Sequence, residues 1–430
     1  MTAPSEPKKP IGELGEDFVE WACQSPLGRD FLFRGQKYRD GANEIELCDL
    51  LVLLDDTVIL MEVKTADREK RPNRTEQEWA DWANARLKKA LSQLERGVKA
   101  IRGGLVRTVE NDRQGETPVD PSQIKHFYGI TVVDHPELDV FGCGPVIDGG
   151  DGLPVSVLTT THTELRHLLA ELSTPADLID YMQAREAFFA KNSLMGITEL
   201  DLLATYKQDP DEFVAHMGNY DVFIIDNGCW DTFAALDARK RRDEADRPSR
   251  LVDAIIDKLH EARHAELPHI QRRYAEIGLP PDSDAAYRSS VGVLARIRRI
   301  DRRMIGLKLL EKSAKCVEQG RDRWFATAPM SREGATCVFV VSTADREDRV
   351  KTLQMAVIGA SLKMNAGRVL GLATEPVAPG FGFSVDAFMI DLDPGELRTK
   401  LPPEAVLELE ALFGVPQVPE GSEFEPGSGG

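Results

Sequence analysis

The run CDLLVLLDDTVILMEVK, Cys48 to Lys64, reads as two apolar, β-rich stretches joined through Asp55 and Asp56. With those aspartates at the tip of a hairpin, Leu54 faces Thr57, Leu51 faces Leu60 and Asp49 faces Glu62. Directly opposed Cβ atoms in an antiparallel pair lie about 4.5–5.5 Å apart. Two carboxylates so placed repel by roughly 3 kcal/mol at an effective dielectric of about 20. A shared proton or a divalent cation would offset that. Lys64 follows Glu62 by two residues and therefore shares its face of the strand. A carboxylate pair with one lysine on a single face suits metal-assisted hydrolysis: the carboxylates hold Mg²⁺, and the lysine orients water or neutralises phosphate charge. The bland alternative is an edge hairpin with solvated charges. The apolar character of Leu47–Val63 argues for buried strands, whose end charges demand partners.

Outward from the hairpin, the pattern predicts a helix over 11–23, strands near 44–54 and 57–64, and helix through 75–102. Strands near 126–133 and 155–158 follow, then a helix over 163–172; residues 11–172 make one block. Residues 173–322 read as mainly helical, with a cap signal at Ser173-Thr174-Pro175, one short strand at Asp221–Ile225 and a long helix over about 285–319. Residues 323–414 alternate strand (334–342), helix (346–364) and strands (367–374, 382–391), a small α/β block. The Pro/Gly/Ser-rich residues 415–430 read as a disordered tail.

The chain has 430 residues, 53 Lys+Arg against 71 Asp+Glu, and a formal net charge of −18. That balance argues against a protein that coats nucleic acid nonspecifically, though local patches can still bind it. No apolar run is long enough to span a membrane, and the start lacks a secretory h-region. Six scattered cysteines without a CxxC fit reduced thiols, so a cytoplasmic location is expected.

Asp49…Glu62-Val63-Lys64 resembles the core of the PD-(D/E)xK nuclease superfamily, in its restriction-endonuclease-like, Mrr-like branch. Upstream, Gly12-Glu13-Leu14-Gly15-Glu16 opens a helix, similar to one whose glutamate completes the metal site in many members. Glu16 is the better match and Glu13 the fallback. Downstream, Trp79…Trp82…Lys89…Gln93 resembles the family helix that brings a glutamine to the site. The similarity covers about residues 11–130; the proline of the family motif is absent, Cys48 standing there instead. The resemblance implies a mixed α/β sheet flanked by helices and Mg²⁺-dependent phosphodiester hydrolysis, with Mn²⁺ as a substitute ion. Asp49, Glu62, the Val63 carbonyl and Glu16 would serve the metal. Lys64 would activate or orient water, and Gln93 would position it or the phosphate. DNA is the favoured substrate, and defence against foreign DNA is a family-level association.

Two segments are locally basic. Arg86–Arg102 carries six cations and one acid, with Lys89, Arg96 and Lys99 assigned to the side of Gln93 as a phosphate-facing surface. Arg288–Lys315 carries nine cations and two acids. There Val293, Ile297, Ile300, Met304 and Leu307 form a core seam, which leaves Arg298, Arg299, Arg302 and Arg303 off it. Their like-charge pairs call for an anion, either a nucleic-acid backbone or acids of the same chain. Trp79 and Trp82 read as packing residues more than as a base-stacking pair.

Two competing readings remain. One is a catalytically silent nuclease fold that binds nucleic acid or a partner. The other is a zinc protease through His260-Glu261-x-x-His264, opposed by its charged flanks. The C-terminal region is the natural place for a protein partner or a homodimer contact.

Overall fold

The computed structural model describes residues 9–67, 73–134, 146–150, 152–190, 198–210, 213, 228–261, 283–327, 335–377 and 382–413. The chain divides into two compact units, Met1–Leu236 and Asp237–Gly430, where the sequence suggests block boundaries after 172 and 322. The expected strand at Asp221–Ile225 and the tail 415–430 lie outside the described residues.

The first unit is built on a six-stranded mixed sheet. Its strands are β1 (Leu32–Arg34), β4 (Leu50–Leu54), β5 (Thr57–Lys64), β8 (His126–Val133), β9 (Val146–Asp148) and β10 (Pro154–Thr160), in the order β1-β4-β5-β8-β10-β9. β5, β8 and β10 run parallel, and β1, β4 and β9 are antiparallel to their neighbours. Two small ribbons flank it: β2 (Lys37–Asp40) with β3 (Asn43–Glu46), and β6 (Thr108–Asn111) with β7 (Gly115–Pro118). The expected strand over 44–54 is therefore two strands, with Leu47–Asp49 between them.

The β4–β5 hairpin has the expected register: Leu54 pairs with Thr57 and Leu51 with Leu60. Asp55 takes a left-handed φ of 49°, which a short polar side chain tolerates, and so closes the two-residue turn.

Helices cover both faces of this sheet. α1 (Ile11–Leu27) and α3 (His162–Glu171) pack on one side, where Cys23 meets Met61. α2 (Glu76–Arg102) crosses the other side and joins β5 to parallel β8. Its start is fixed by a capping box between Thr75 and Glu78. Alternation places Leu51, Val58 and Leu60 in the core beneath α2, together with Leu94, Val98 and Ile101. Gly97 lets the helix come this close: a Cβ there would lie 2.7 Å from Leu60 Cδ2 and 2.9 Å from the Leu47 carbonyl.

Two more helices, α4 (Pro175–Phe189) and α5 (Glu199–Gln208), complete the unit together with the short α6 (Cys229–Ala235). Fully buried Arg185 of α4 donates to both carboxylate oxygens of Glu199 on α5 (2.8 and 3.1 Å) and to Ser156 Oγ on β10 (3.0 Å). Tyr181 also donates to Glu199. A buried charge needs a partner of this kind, because an unpaired one is strongly destabilising.

The second unit holds a four-stranded sheet in the order β11 (Arg323–Ala326), β12 (Thr336–Val341), β13 (Arg368–Thr374), β14 (Val385–Asp391). Before it come α7 (Asp237–Ala245), a helix over 250–261 (α8), α9 (Ser283–Ala295) and α10 (Arg299–Gln319). α11 (Arg346–Met364), α12 (Pro394–Lys400) and α13 (Pro403–Ala411) complete it. The single long helix expected over 285–319 is two. Arg298 is extended (φ −64°, ψ 158°), and the Arg302 guanidinium donates to the Leu294 and Ile297 carbonyls at the end of α9. The break resets the helical phase. Val293 and Ile297 are buried as expected, but Leu307 is 46 % exposed, and the buried side of α10 carries Arg299, Arg302, Arg303, Gly306 and Leu309.

Candidate active site

The carboxyl ends of parallel strands are where open α/β sheets bind ligands, and Glu62 and Lys64 end β5. Glu62 is 1 % exposed and Asp49 7 %. The Lys64 ammonium lies among three oxygens. It is 2.6 Å from Glu62 Oε2, 3.2 Å from the Val63 carbonyl and 3.4 Å from Asp49 Oδ2. The Val63 amide donates to the same Asp49 oxygen at 2.6 Å, which anchors the start of β4 to the end of β5.

Burial, and then the charge of Asp49, push the Glu62 carboxyl up to about 8, against the pull of Lys64. Burial lowers the Lys64 ammonium, but Glu62 and Asp49 more than offset this and hold it above its ordinary value. Burial and the same two acids drive the Cys48 thiol well up, so it is inert beside the site.

Glu16 on α1 belongs to this electrostatic group. Its carboxyl is raised by burial and then by Asp49, while Arg34 pulls it down. Arg34 of β1 reaches Glu16 (3.3 Å), Asp17 (2.6 Å) and Glu20 (2.8 Å), so this expected metal residue is also a structural ion-pair partner. Neither Arg34 nor Glu46, whose charge also raises Glu16 and Glu62, stands out in sequence. Both lie outside the charged pair-plus-lysine pattern, and only the approach of α1, β1 and β3 to the hairpin end brings them in.

Gln93 approaches from α2. The Arg102 guanidinium lies 4.6 Å over the Phe127 ring, Leu94 lies against Gly129, and Gly97 lies over Leu60. Since Phe127 pairs with Val58 and Gly129 with Leu60, α2 runs antiparallel to β5. One helical turn back from Gly97, about 6 Å, matches the step of about 6.6 Å from Leu60 to Glu62. Gln93 therefore lies toward the Glu62 end of β5 from Gly97, and its buried Oε1 has no hydrogen-bond partner among the described residues.

A second polar pair sits at the same sheet edge on the α1 side. Asp134 donates its amide to the Lys64 carbonyl (2.9 Å), and His162 Nδ1 is 3.6 Å from Asp134 Oδ1. His162 also packs edge-on against Phe18 and lies, with Thr65, against Gly15.

Of the other expected binding residues, Lys89 and Arg96 keep to the side of Gln93 and the rest fall elsewhere. Lys99 is held by Glu95 (2.5 Å) and Asp148 (3.0 Å), on a different side of α2 from Gln93. Lys89 is exposed, and Arg96 donates to the Glu46 carbonyl (3.4 Å). The four arginines of the second unit do not form a phosphate surface. Arg299 and Arg302 are buried against Asp253 (2.8 and 2.5 Å), and Arg303 against Asp246 (2.8 Å). Arg298 is exposed but reaches Asp301 (3.1 Å). The compensating anions are the protein's own, because Gly306 seats α10 tightly on Pro248, between those aspartates.

His260 packs near Tyr287, Glu261 pairs with Lys258, and His264 lies outside the described residues. Among the described residues, no group of three or more His, Cys, Asp or Glu is arranged to hold a metal ion. No described helix is long and apolar enough to cross a membrane. Comparison of the chain with protein-family models, curated proteins and solved structures finds no match.

Proposed function

We propose that the first unit is a restriction-endonuclease-like nuclease that hydrolyses phosphodiester bonds in nucleic acid, with DNA the favoured substrate and Mg²⁺ the cofactor. The observation that carries this reading is the Lys64 ammonium amid Asp49 Oδ2, Glu62 Oε2 and the Val63 carbonyl. Three hard oxygens converging on one cation are the donor set a small divalent ion takes. Burial and the charge of Asp49 hold the Glu62 carboxyl up at about 8 even with Lys64 alongside, and a divalent ion would supply charge that offsets both.

Asp49 and Glu62 would hold the ion together with the Val63 carbonyl, and Glu16 would approach through water. When bound, Mg²⁺ supplies Lewis-acid polarisation of the phosphate. Lys64, displaced from the oxygens, would turn its ammonium to the attacking water or the phosphate. Gln93 would accept a hydrogen bond from that water through its free Oε1. Mg²⁺-dependent cleavage of plasmid DNA, lost in both Glu62→Gln and Lys64→Met, tests this reading. Retained cleavage in both variants overturns the site.

The second reading is a silent nuclease fold that binds without cutting. It is favoured by the engagement of Glu16 with Arg34 and by the lack, among the described residues, of a group of three or more His, Cys, Asp or Glu arranged to hold a metal. Nucleic-acid binding with no cleavage under Mg²⁺ or Mn²⁺ would select it.

A further inference from the structure

The sheet-facing stripe of α2 begins only at Ala83; the two turns from Glu76 to Trp82 contain no buried residue. With Gly97 over Leu60 and the helix antiparallel to β5, those turns extend beyond the carboxyl end of the strand. Along one flank, Trp82, Arg86, Lys89, Gln93 and Arg96 succeed each other at steps of four, three, four and three, hence on one side of the helix. The flank carries three cations, one amide and one indole, and no carboxylate.

Arg96 donates to the Glu46 carbonyl, which turns this flank toward the part of the hairpin that carries Asp49. Trp82 is partly exposed. The Arg86 guanidinium lies 5.9 Å from its ring, and Trp79 packs edge-on against it at 5.9 Å.

We propose that this flank is a track for one nucleic-acid strand, and that Trp82 stacks an unpaired base while Arg86, Lys89 and Arg96 follow the phosphates. The preferred substrate is then a strand that is single near the cut: a tail, a flap or a gap. A base within a continuous duplex has both faces covered by its neighbours and cannot offer one to an indole. Aromatic stacking beside basic residues is the way single strands are held without sequence reading. Trp82 lies about 16 Å along the axis from Gln93, on the order of five stacked nucleotide steps. Lys89 and Arg86 fall between them. The inference deepens the nuclease reading, but its binding half does not need catalysis.

The test uses the full chain in EDTA, with one labelled DNA oligonucleotide presented as a single strand, as a blunt duplex and as a duplex with a single-stranded tail. Binding is followed by anisotropy. The single strand and the tailed duplex should bind about tenfold or more tighter than the blunt duplex. Trp82→Ala should remove about that factor, Trp82→Phe should keep most of it, and Lys89→Ala should lower the salt slope by about one. Equal affinity for blunt duplex and single strand overturns the proposal. So does an unchanged Trp82→Ala, or a Trp82→Phe as damaging as Trp82→Ala, which would mark a packing role. Binding in EDTA does not draw on the metal site. Absent cleavage with the track intact would therefore overturn the nuclease reading alone.

Discussion

Lys64 Nζ lies 2.6 Å from Oε2 of Glu62, two places earlier on the same strand. The part-buried ammonium faces Glu62 and, at 3.4 Å, Asp49 across the hairpin. A lysine so placed competes with any divalent cation for the same oxygens.

Removing the competitor should tighten ion binding even as it abolishes cleavage. Lys64→Met is expected to bind Mn²⁺ about tenfold more tightly than the parent chain, a gain of about 1.4 kcal/mol. Titration calorimetry reads this directly. Its melting point should also rise more steeply with added ion, by mass action. An affinity equal to or weaker than the parent's would mean that the ammonium does not stand where the ion binds.

Glu62 makes stability depend on pH in an unusual direction. Its carboxyl is near 4.5 when unfolded and about 8 when folded, so between those values the folded chain holds a proton the unfolded chain has released. This group's contribution is complete below the unfolded value and is lost as pH rises to about 8, at no more than about 1.4 kcal/mol per pH unit. Glu62→Gln should abolish that slope. Urea midpoints at pH 5 and pH 8 for both chains check it; parallel pH trends in the two would refute the assignment.

Ion binding should follow the same titration with the opposite sign. The Glu62 proton must leave before its oxygens can accept a cation, so Mn²⁺ affinity should climb between pH 6 and about 8 and level off above. In Glu62→Gln the climb should disappear. Calorimetry across that range reads both.

Arg302 offers a contrast between stability and binding. It donates to Asp253 and caps the end of α9, with almost no exposure. Arg302→Ala leaves Asp253 partly uncompensated and should destabilise the second unit by about 3–5 kcal/mol. DNA affinity at a temperature where the variant is folded should not change. A specific loss of affinity without loss of stability would restore this helix as a nucleic-acid surface.

Gly97 sets how near α2 lies to the hairpin. A Cβ at 2.7 Å from Leu60 and 2.9 Å from the Leu47 backbone forces the helix outward, so Gly97→Val should cost roughly 1–3 kcal/mol. It should also weaken cleavage more than Gly103→Val, which lies beyond the helix end. The comparison of urea midpoints with activity separates the two effects.

The hairpin was readable because its information is local. Apolar alternation, a two-residue turn and a period of two fix which side chains face each other, so Asp49, Glu62 and Lys64 meet as the register requires. α2 was readable through its long periodicity and its capping box. What the pattern hides is set by tertiary contacts. The break at Arg298 depends on a guanidinium that satisfies carbonyls several residues back, and no periodicity shows that. With the phase reset, arginines that a continuous helix would turn outward become the buried face. Lys99 leaves the side of Gln93 for a simpler reason: six residues are about 1.7 turns, which swings it about 120° around the helix, where Asp148 meets it. Arg34 and Glu46 carry no local signal at all.

The Arg185–Glu199 pair bears on where the chain can be divided. Because Arg185 also holds Ser156, the last long strand of the sheet is completed by helices that come after residue 172. A fragment ending there would strip the cover from one face of β10 and leave Ser156 and buried Leu158, which alternation puts on the same face, at a new surface. Fragment 1–236 keeps the guanidinium and its carboxylate together. The smallest piece that folds on its own should therefore be the longer one. A protease acting under native conditions should leave 1–236 as its resistant product, whereas a chain stopped at 172 should be recovered as aggregate.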